Sequence, residues 1–492
     1  MENPSLVLKS CLKLGILGGC LGLATGTTSA DTLFDPYSAT PTGSWPEAVA
    51  IGDLNGDGLA DVALVTSYYF DPQNDYKLFV FYQDQNGVLQ SPLKYPTRAT
   101  YTARPKSVDV GDLNGDGLDD VAVGLNGTGL EVFLQSENGQ LLPSVFYPMT
   151  QSEVVRIGDL NNDHRQDVAG IGWGGSDAVV MYQNSDGSLA APVSYYAPHG
   201  GYDDLALGDL THDGLTDIVV MSGQGYANDN LAVLAQNVSG GFDPVQYYDL
   251  GDNELTNGVA IGDINGDTWK DIIVSYGGNR PSSNIAFFAQ NQFGTFDNPV
   301  SLGSYDIPEP VVAADVNRDG NDDVLVLHGG WNRMGVYLQQ PDGSLGPESL
   351  YPIPYASHYN PQGFAIGDIN NDGSPDAVIA DSNNGLVVLK NAHANVNPVA
   401  NAGDDLNVLQ RSWVTLDGTA SNDPDGSIVS WSWSQISGPQ VTLNDADGPS
   451  PSFWVRRFRG STPKIFVFEL TVFDNQGLSA KDQVTVTAFK KR

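Results

Sequence analysis

The stretch Asp53-Leu54-Asn55-Gly56-Asp57-Gly58-Leu59-Ala60-Asp61 decides the fold, and it runs directly into the apolar segment Val62–Val65. Oxygen-bearing side chains stand at its first, third, fifth and ninth positions, and glycine stands at the sixth. On a tightly curled loop such side chains converge on one point, and hard oxygen ligands suit Ca²⁺. An EF-hand loop starts in the same way but ends on Glu at position 12, where this sequence has Leu64. The β-branched, apolar continuation therefore predicts a calcium loop that leads into a strand.

The nonapeptide occurs seven times, at intervals of 59, 47, 50, 54, 52 and 53 residues. Its copies begin at Asp53, Asp112, Asp159, Asp209, Asp263, Asp315 and Asp368. Such a period is typical of repeats that bury their apolar faces against one another. Later in each repeat, two apolar segments flank a turn such as Asn86-Gly87 or Asn138-Gly139, which favours a β-hairpin. Four antiparallel strands per repeat predict an all-β fold, a seven-bladed β-propeller.

The seventh repeat lacks a fourth strand, because the chain turns polar after its third apolar segment. The missing piece is expected near the start of the chain, where Phe34-Asp35-Pro36-Tyr37 resembles the fourth-strand start Phe242-Asp243-Pro244. We therefore predict that residues 32–40 supply the outer strand of the last blade. Closing the ring in this way removes the exposed sheet edges of an open array.

The charge of the chain excludes some partners. The formal net charge is −36 over 492 residues, which repels nucleic acid and anionic membrane surfaces. Each of the seven loops contributes three Asp, so without metal these clusters repel themselves. We therefore expect folding and calcium binding to be coupled.

Residues 1–30 have the pattern of a secretory signal peptide. Two lysines precede the apolar run Leu14–Ala24, and Thr28-Ser29-Ala30 offers the small residues of a cleavage site. The run is too short and too rich in glycine for membrane insertion as a spanning helix. Leu17-Gly18-Gly19-Cys20 also resembles a lipoprotein box, so a lipid tether at Cys20 is the alternative to free secretion. Either way the protein is expected outside the cell or on its surface.

Beyond a polar linker the texture of the sequence changes. Residues 397–490 lack the loop motif and contain short apolar segments separated by Gly, Asp, Asn and Pro clusters. About 90 residues with this spacing predict an immunoglobulin-like β-sandwich.

Both parts of the chain resemble known families. The seven loops and hairpins of residues 31–394 resemble FG-GAP and VCBS repeats, the blades of the integrin α-chain propeller. That resemblance implies a seven-bladed propeller with Ca²⁺ held between the first and second strands of a blade. The segments Asn397-Pro398-Val399, Asp423-Pro424-Asp425-Gly426 and Trp431-Ser432-Trp433 resemble a PKD-type sandwich, which implies a spacer or a module that contacts surfaces and polysaccharides.

The resemblance carries a ligand set onto each loop. The predicted metal ligands are Asp53, Asn55, Asp57, Leu59 and Asp61; Asp112, Asn114, Asp116, Leu118 and Asp120; Asp159, Asn161, Asp163 and Asp167; Asp209, Thr211, Asp213, Leu215 and Asp217; Asp263, Asn265, Asp267 and Asp271; Asp315, Asn317, Asp319, Asn321 and Asp323; and Asp368, Asn370, Asp372, Ser374 and Asp376. Up to seven Ca²⁺ sites follow. The third and fifth are expected to be weak or empty, because His164 and Thr268 replace the glycine that takes positive φ. Identical sites in every blade favour structural calcium over a calcium-gated switch.

A specific function needs a site outside that repetition. Successive turns of a meander alternate between two ends, so the calcium loops and hairpin turns share one face and the variable connections share the other. Candidate ligand contacts on the variable face are Trp173, Tyr276, His328 and Trp331. We predict a monomeric binding or adhesion module for an extracellular glycan or protein.

The alternative function is a polysaccharide lyase with its site on the same variable face. His199, His328 and His358 are expected there, and a Tyr/His pair could abstract a proton from a sugar. The chain contains none of the common hydrolase, metalloprotease or phosphate-binding motifs, which favours binding over catalysis.

Overall fold

The structure, a computed structural model, describes residues 33–491 apart from 69–70, 173–174, 176, 198–201, 223–229, 252–254, 356–358, 392–396, 425–426 and 475–476. The predicted signal peptide and the alternative tether at Cys20 lie outside the described residues, as does the candidate ligand contact Trp173. In the described part of the chain no helix is long and apolar enough to span a membrane.

The strands of the repeats are short and follow one another regularly. In chain order they are β1 (Ser38–Thr40), β2 (Pro46–Gly52), β3 (Asp61–Thr66), β4 (Lys77–Phe81), β5 (Leu93–Pro96), β6 (Pro105–Gly111), β7 (Asp120–Leu125), β8 (Gly129–Phe133), β9 (Gln135–Ser136), β10 (Gln140–Leu141), β11 (Val145–Pro148), β12 (Val154–Gly158), β13 (Asp167–Ile171), β14 (Asp177–Met181), β15 (Val193–Tyr196), β16 (Tyr202–Gly208), β17 (Asp217–Ser222), β18 (Leu231–Leu234), β19 (Gln236–Asn237), β20 (Gly241–Phe242), β21 (Gln246–Tyr248), β22 (Thr256–Gly262), β23 (Asp271–Gly277), β24 (Ser283–Phe288), β25 (Val300–Gly303), β26 (Pro308–Ala314), β27 (Asp323–His328), β28 (Arg333–Tyr337), β29 (Ser349–Pro352), β30 (Phe364–Gly367), β31 (Asp376–Asp381) and β32 (Gly385–Leu389).

These strands form seven four-stranded antiparallel sheets, which are the blades. The sheet orders are β2-β3-β4-β5, β6-β7-β8-β11, β12-β13-β14-β15, β16-β17-β18-β21, β22-β23-β24-β25, β26-β27-β28-β29 and β30-β31-β32-β1. The first strand of each blade contacts the first strand of the next, and β2 contacts β30, so the ring closes. The predicted all-β propeller with seven blades is confirmed.

The core lies between adjacent blades. Ala48, Val65 and Leu78 of the first blade pack in one cluster with Val108 and Phe133 of the second. The second strand of a blade is buried on both faces, as β3 is along its whole length, whereas the outer strand β5 has no buried residue. This gradient explains why second strands are continuous apolar runs and fourth strands are mixed.

The last blade is completed from the start of the chain, as predicted. β1 pairs antiparallel with β32, so that Ser38 faces Val388 and Thr40 faces Leu386. Upstream of β1, Phe34 is buried and its ring lies edge-on to Tyr351 of the sixth blade, with ring centroids 5.3 Å apart. The strand and the phenylalanine anchor join the two ends of the ring.

The remaining strands build a β-sandwich. They are β33 (Leu406–Leu409), β34 (Ser412–Thr415), β35 (Ile428–Ser437), β36 (Ser452–Val455), β37 (Lys464–Asp474) and β38 (Ser479–Phe489). One sheet has the order β33-β38-β37-β35, in which β33 runs parallel to β38, and the other pairs β34 with β36. Trp433, Phe453, Phe468 and Leu470 fill the space between them. The sequence pattern did not indicate β36, a short strand that follows a Pro- and Ser-rich segment.

Candidate functional site

The first Asp of each nonapeptide curls the loop around its own carboxylate. The first loop joins β2 to β3. In it, Asp53 Oδ1 accepts hydrogen bonds from the main-chain N–H of Gly56 at 2.7 Å and of Asp57 at 3.1 Å. Oδ2 accepts one from Gly58 at 2.8 Å. The same pattern recurs around Asp112 in the second loop. Alternate side chains of the loop are thereby held on a tight turn, as the spacing predicts.

The ninth residue is a fully buried aspartate in every loop. Asp61 Oδ2 accepts a hydrogen bond from Leu54 N at 3.0 Å, and Oδ1 accepts one from Gln83 N at 2.8 Å. Burial raises the pKa of Asp61 to about 7, and the negative charges of Asp57 and Asp53 raise it further against these two hydrogen bonds. The equivalent carboxyls have pKa values raised to about 6 or 7 for the same reason.

A divalent cation fits this donor set. A buried carboxylate with two acidic neighbours costs free energy unless a positive charge compensates it, and hard oxygen donors are those that Ca²⁺ takes. Within the described residues, no three acidic, imidazole or thiol side chains form a metal site by themselves. The amide of Asn55 and the carbonyl of Leu59 would therefore have to complete the set. Bound there, Ca²⁺ would supply the missing positive charge.

The third and fifth loops depart from the others as the sequence indicates. His164 and Thr268 have φ of 64° and 75°, in the region that Gly58 and its equivalents occupy. In the third loop the Arg165 guanidinium also forms an ion pair with Asp163, a predicted ligand. That internal cation competes with metal for the carboxylate. In the fifth loop Lys270 pairs instead with Asp322 of the next blade, at 2.9 Å.

A ring of amide side chains, which the sequence analysis missed, links each loop to the preceding blade. Its members are Gln83, Gln135, Gln183, Gln236, Gln290, Gln339 and Asn391. Gln135 N donates to Asp120 Oδ1 at 2.7 Å, and Gln135 Nε2 donates to the carbonyls of Asp119 at 3.0 Å and of Asp53 at 2.7 Å. Gln83 Nε2 reaches the carbonyl of Asp368 in the last blade. The signal was present, since each of these glutamines precedes its turn glycine by four residues.

The hairpin turns lie on the same face as the loops. Gly139 has φ of 73°, and a Cβ added to it would lie 2.6 Å from the carbonyl oxygen of Asn55 in the preceding loop. At Gly87 the added Cβ would lie 1.9 Å from the carbonyl of Asn370, across the closure of the ring. We call this surface the loop face. The predicted sharing of one face by loops and hairpins is confirmed.

The opposite surface, the connection face, carries the links between second and third strands and between successive blades. A first aromatic cluster lies over the first two blades, where the Tyr68 and Tyr101 rings are 5.1 Å apart and the Arg104 guanidinium lies 5.7 Å from the Tyr68 ring. Tyr101 is 68% exposed. The cluster is thus open to a partner and joins connections of two blades.

A second aromatic cluster lies over the fifth and sixth blades. Trp331 meets Tyr305 edge-on with centroids 6.2 Å apart, and the Arg280 guanidinium lies 4.6 Å from the Tyr305 ring. Trp331 is 39% exposed, in keeping with its prediction as a ligand contact.

Two other predicted ligand contacts are wrong. His328 is fully buried, with Nδ1 3.0 Å from the Asp306 carbonyl and Nε2 2.9 Å from the Glu348 carboxylate. Tyr276 is 3% exposed, and its hydroxyl donates to Ser301 Oγ. Both residues belong to second strands, which extend further than the sequence pattern indicated. His199 and His358 lie outside the described residues.

Comparison with known proteins identifies the repeats. The FG-GAP-like repeat family matches residues 53–123, 112–170, 159–220, 209–274 and 315–379, more than half of the chain. A PKD domain family matches residues 402–488. No curated protein matches the sequence.

Three solved structures are similar to parts of the chain. The solution structure of the PKD domain from the KIAA 1837 protein is 29% identical, with a TM-score of 0.17, over 20% of this chain and 92% of that one. YCF48 bound to D1 peptide is 11% identical, with a TM-score of 0.44, over 73% and 94%. A nucleoside hydrolase-related hypothetical protein from Saccharophagus degradans, associated with carbohydrate metabolism, is 23% identical, with a TM-score of 0.18, over 20% and 27%. On the strength of its repeats, this chain belongs to the FG-GAP-like repeat family and carries a PKD domain after its propeller.

Proposed function

We propose that this protein is a calcium-stabilised extracellular binding module that holds its ligand on the connection face. The observation that carries the proposal is the pair of exposed aromatic clusters, one around Tyr101 and one around Trp331. Export of the protein, freely or on a lipid tether, is part of the proposal and rests on the pattern of residues 1–30.

In this proposal calcium holds the scaffold together. Each loop carries a buried carboxylate that a cation would compensate, and each is tied to the preceding blade by a glutamine or asparagine amide. Metal bound in one loop would therefore also fix the carbonyl that its neighbour uses. Because the arrangement recurs in every blade, it suits a structural role better than a single switch.

The ligand that suits the connection face is a neutral glycan. Each cluster combines an exposed aromatic ring with a guanidinium, and such groups stack on sugar rings and donate to their hydroxyls. The propeller segment 31–396 carries 48 Asp and Glu against 12 Lys and Arg, which disfavours an anionic ligand. A protein partner would use the same aromatic residues as a hot spot and is the second outcome of the test.

The proposed glycan site can be tested by substitution at its exposed aromatics. Trp331→Ala and Tyr101→Ala should each weaken binding of the Ca²⁺-loaded protein, on a glycan array, by about tenfold. The matched control is Phe293→Ala, an aromatic that is 78% exposed on a hairpin turn of the loop face. Equal affinity for all three variants would place the ligand elsewhere.

The lyase alternative has lost one of its candidate residues, because His328 is buried and both its nitrogens have partners. Incubating the protein with each bound glycan and recording ultraviolet absorbance of new double bonds tests it directly. A rise in absorbance would replace the binding module with an enzyme.

A further inference from the structure

A pocket of about 370 Å³ opens at one end of the β-sandwich. It is lined by Gln410, Arg411, Arg457, Phe458, Arg459, Gly460, Lys490 and Lys491. Five of these eight residues are cationic and none is acidic. In the described part of the chain, no ion pair joins any of the five cations to a carboxylate.

This gathering of charge runs against the composition of the chain. Residues 397–492 contain nine Lys and Arg against ten Asp and Glu, and five of those nine cations line the one pocket. Like charges held close together repel one another, and an anion among them would remove that cost. The pocket therefore has the electrostatic character of an anion site on an otherwise acidic protein.

The pocket is built on a fixed scaffold. Gln410 is 6% exposed; its Oε1 accepts a hydrogen bond from Phe458 N at 2.9 Å, and its own N–H donates to the Phe489 carbonyl at 2.8 Å. One buried side chain thus connects the ends of β33 and β38 with the segment after β36. Arg411 has φ of 65°, where glycine would be the less costly residue, so the turn keeps a cation at a conformational cost.

Two exposed indoles lie beside the pocket. Trp413 of β34 and Trp454 of β36 face each other across the strands, with ring centroids 5.6 Å apart, and are 61% and 41% exposed. Arg411 precedes Trp413 by two residues, and Arg456 follows Trp454 by two. Because side chains two apart in a strand share a face, aromatic and cationic groups form one continuous surface.

We propose that the pocket and the two indoles bind an acidic polysaccharide. Carboxylate or sulfate groups of the polymer would pair with the arginines and lysines, and the uncharged face of a neighbouring sugar ring would stack on an indole. The indoles lie next to the cations and not among them, which suits a polymer whose charged groups alternate with neutral ring surface. A nucleic acid instead places a phosphate beside every base, so it is the rival that the test must exclude.

The test measures binding of the full-length, Ca²⁺-loaded protein to chondroitin sulfate by calorimetry, with desulfated chondroitin and neutral dextran in parallel arms. The variant Arg457→Gln/Arg459→Gln should bind chondroitin sulfate about tenfold more weakly. The matched control Lys94→Gln/Lys481→Gln removes the same two charges from exposed positions outside the pocket and should bind as the wild type does. Trp413→Ala should also weaken binding, by about tenfold.

The arms separate the possible outcomes. Retained binding of desulfated chondroitin assigns recognition to carboxylates, and its loss assigns recognition to sulfates; both support the site. Equal weakening in the arginine variant and the lysine control would reduce the effect to net charge and overturn the proposal. Tighter binding of a single-stranded oligothymidylate than of chondroitin sulfate, sensitive to Trp413→Ala, would also overturn it. Far-ultraviolet circular dichroism of each variant checks that the sandwich is folded.

Discussion

The amide ring gives the sharpest quantitative prediction, for the variant Gln135→Leu. Gln135 is 2% exposed, and its Nε2 donates to two main-chain carbonyls, those of Asp53 in the first blade and Asp119 in the second. Leucine has a similar volume but no donor, so both carbonyls lose this partner. Each unsatisfied buried acceptor costs about 1–3 kcal/mol. The main-chain N–H of residue 135 still reaches Asp120, so we expect a total loss of about 2–4 kcal/mol.

Urea unfolding of the Ca²⁺-loaded protein, followed by intrinsic fluorescence, measures this loss. The matched control is Gln140→Leu, in the same hairpin, where the glutamine is exposed and the change should stay within about 0.5 kcal/mol. A shift for Gln135→Leu no larger than the control shift would refute the reasoning. It would mean that water replaces the amide at both carbonyls without penalty and that adjacent blades are joined by apolar packing alone.

The remaining predictions concern metal, pH and ring closure. Each ninth-position Asp has a folded-state pKa raised above its ordinary 3.8, to about 7 for Asp61, so its ionisation destabilises the metal-free fold as pH rises from about 4 to 7. EDTA-treated protein should therefore unfold at a lower temperature at pH 8 than at pH 5, and added Ca²⁺ should remove this difference; calorimetric scans that show no such dependence would contradict the metal assignment. Deleting residues 33–40 removes β1 and the Phe34 anchor, and should lower the melting temperature of the propeller by several degrees. An unchanged transition would mean that the ring holds without its closing strand.

Much of the fold could be predicted because its determinants are local and repeated. The spacing of the loop motif gave the number of blades, and the turn dipeptides gave the hairpins. The closing strand could be identified from a short similarity between Phe34-Asp35-Pro36 and a fourth-strand start. In each case the signal lies within a few residues of the structure it specifies, and seven copies average out chance resemblance.

The errors arose where the determinant is an element's end or a contact between blades. Tyr276 and His328 were assigned to connections, but β23 and β27 extend through them and bury both side chains. Strand ends depend on which neighbour covers the last residue, and a single repeat does not contain that information. The amide ring was missed for the same reason, since Gln135 has a purpose only when the loop at Asp53 of another blade lies beside it.

The lengths of the connections separate scaffold from function. On the loop face, the link from first to second strand has the same length in every blade, as from Gly52 to Asp61 and from Gly111 to Asp120. On the connection face, the link from second to third strand varies from three residues between β7 and β8 to ten between β3 and β4. A ligand contact built into the loops would be present seven times and could not be specific. Because the amide ring and the buried aspartates fix the loop face, the connections can change length without opening the ring. A specific ligand must therefore be recognised by the connections.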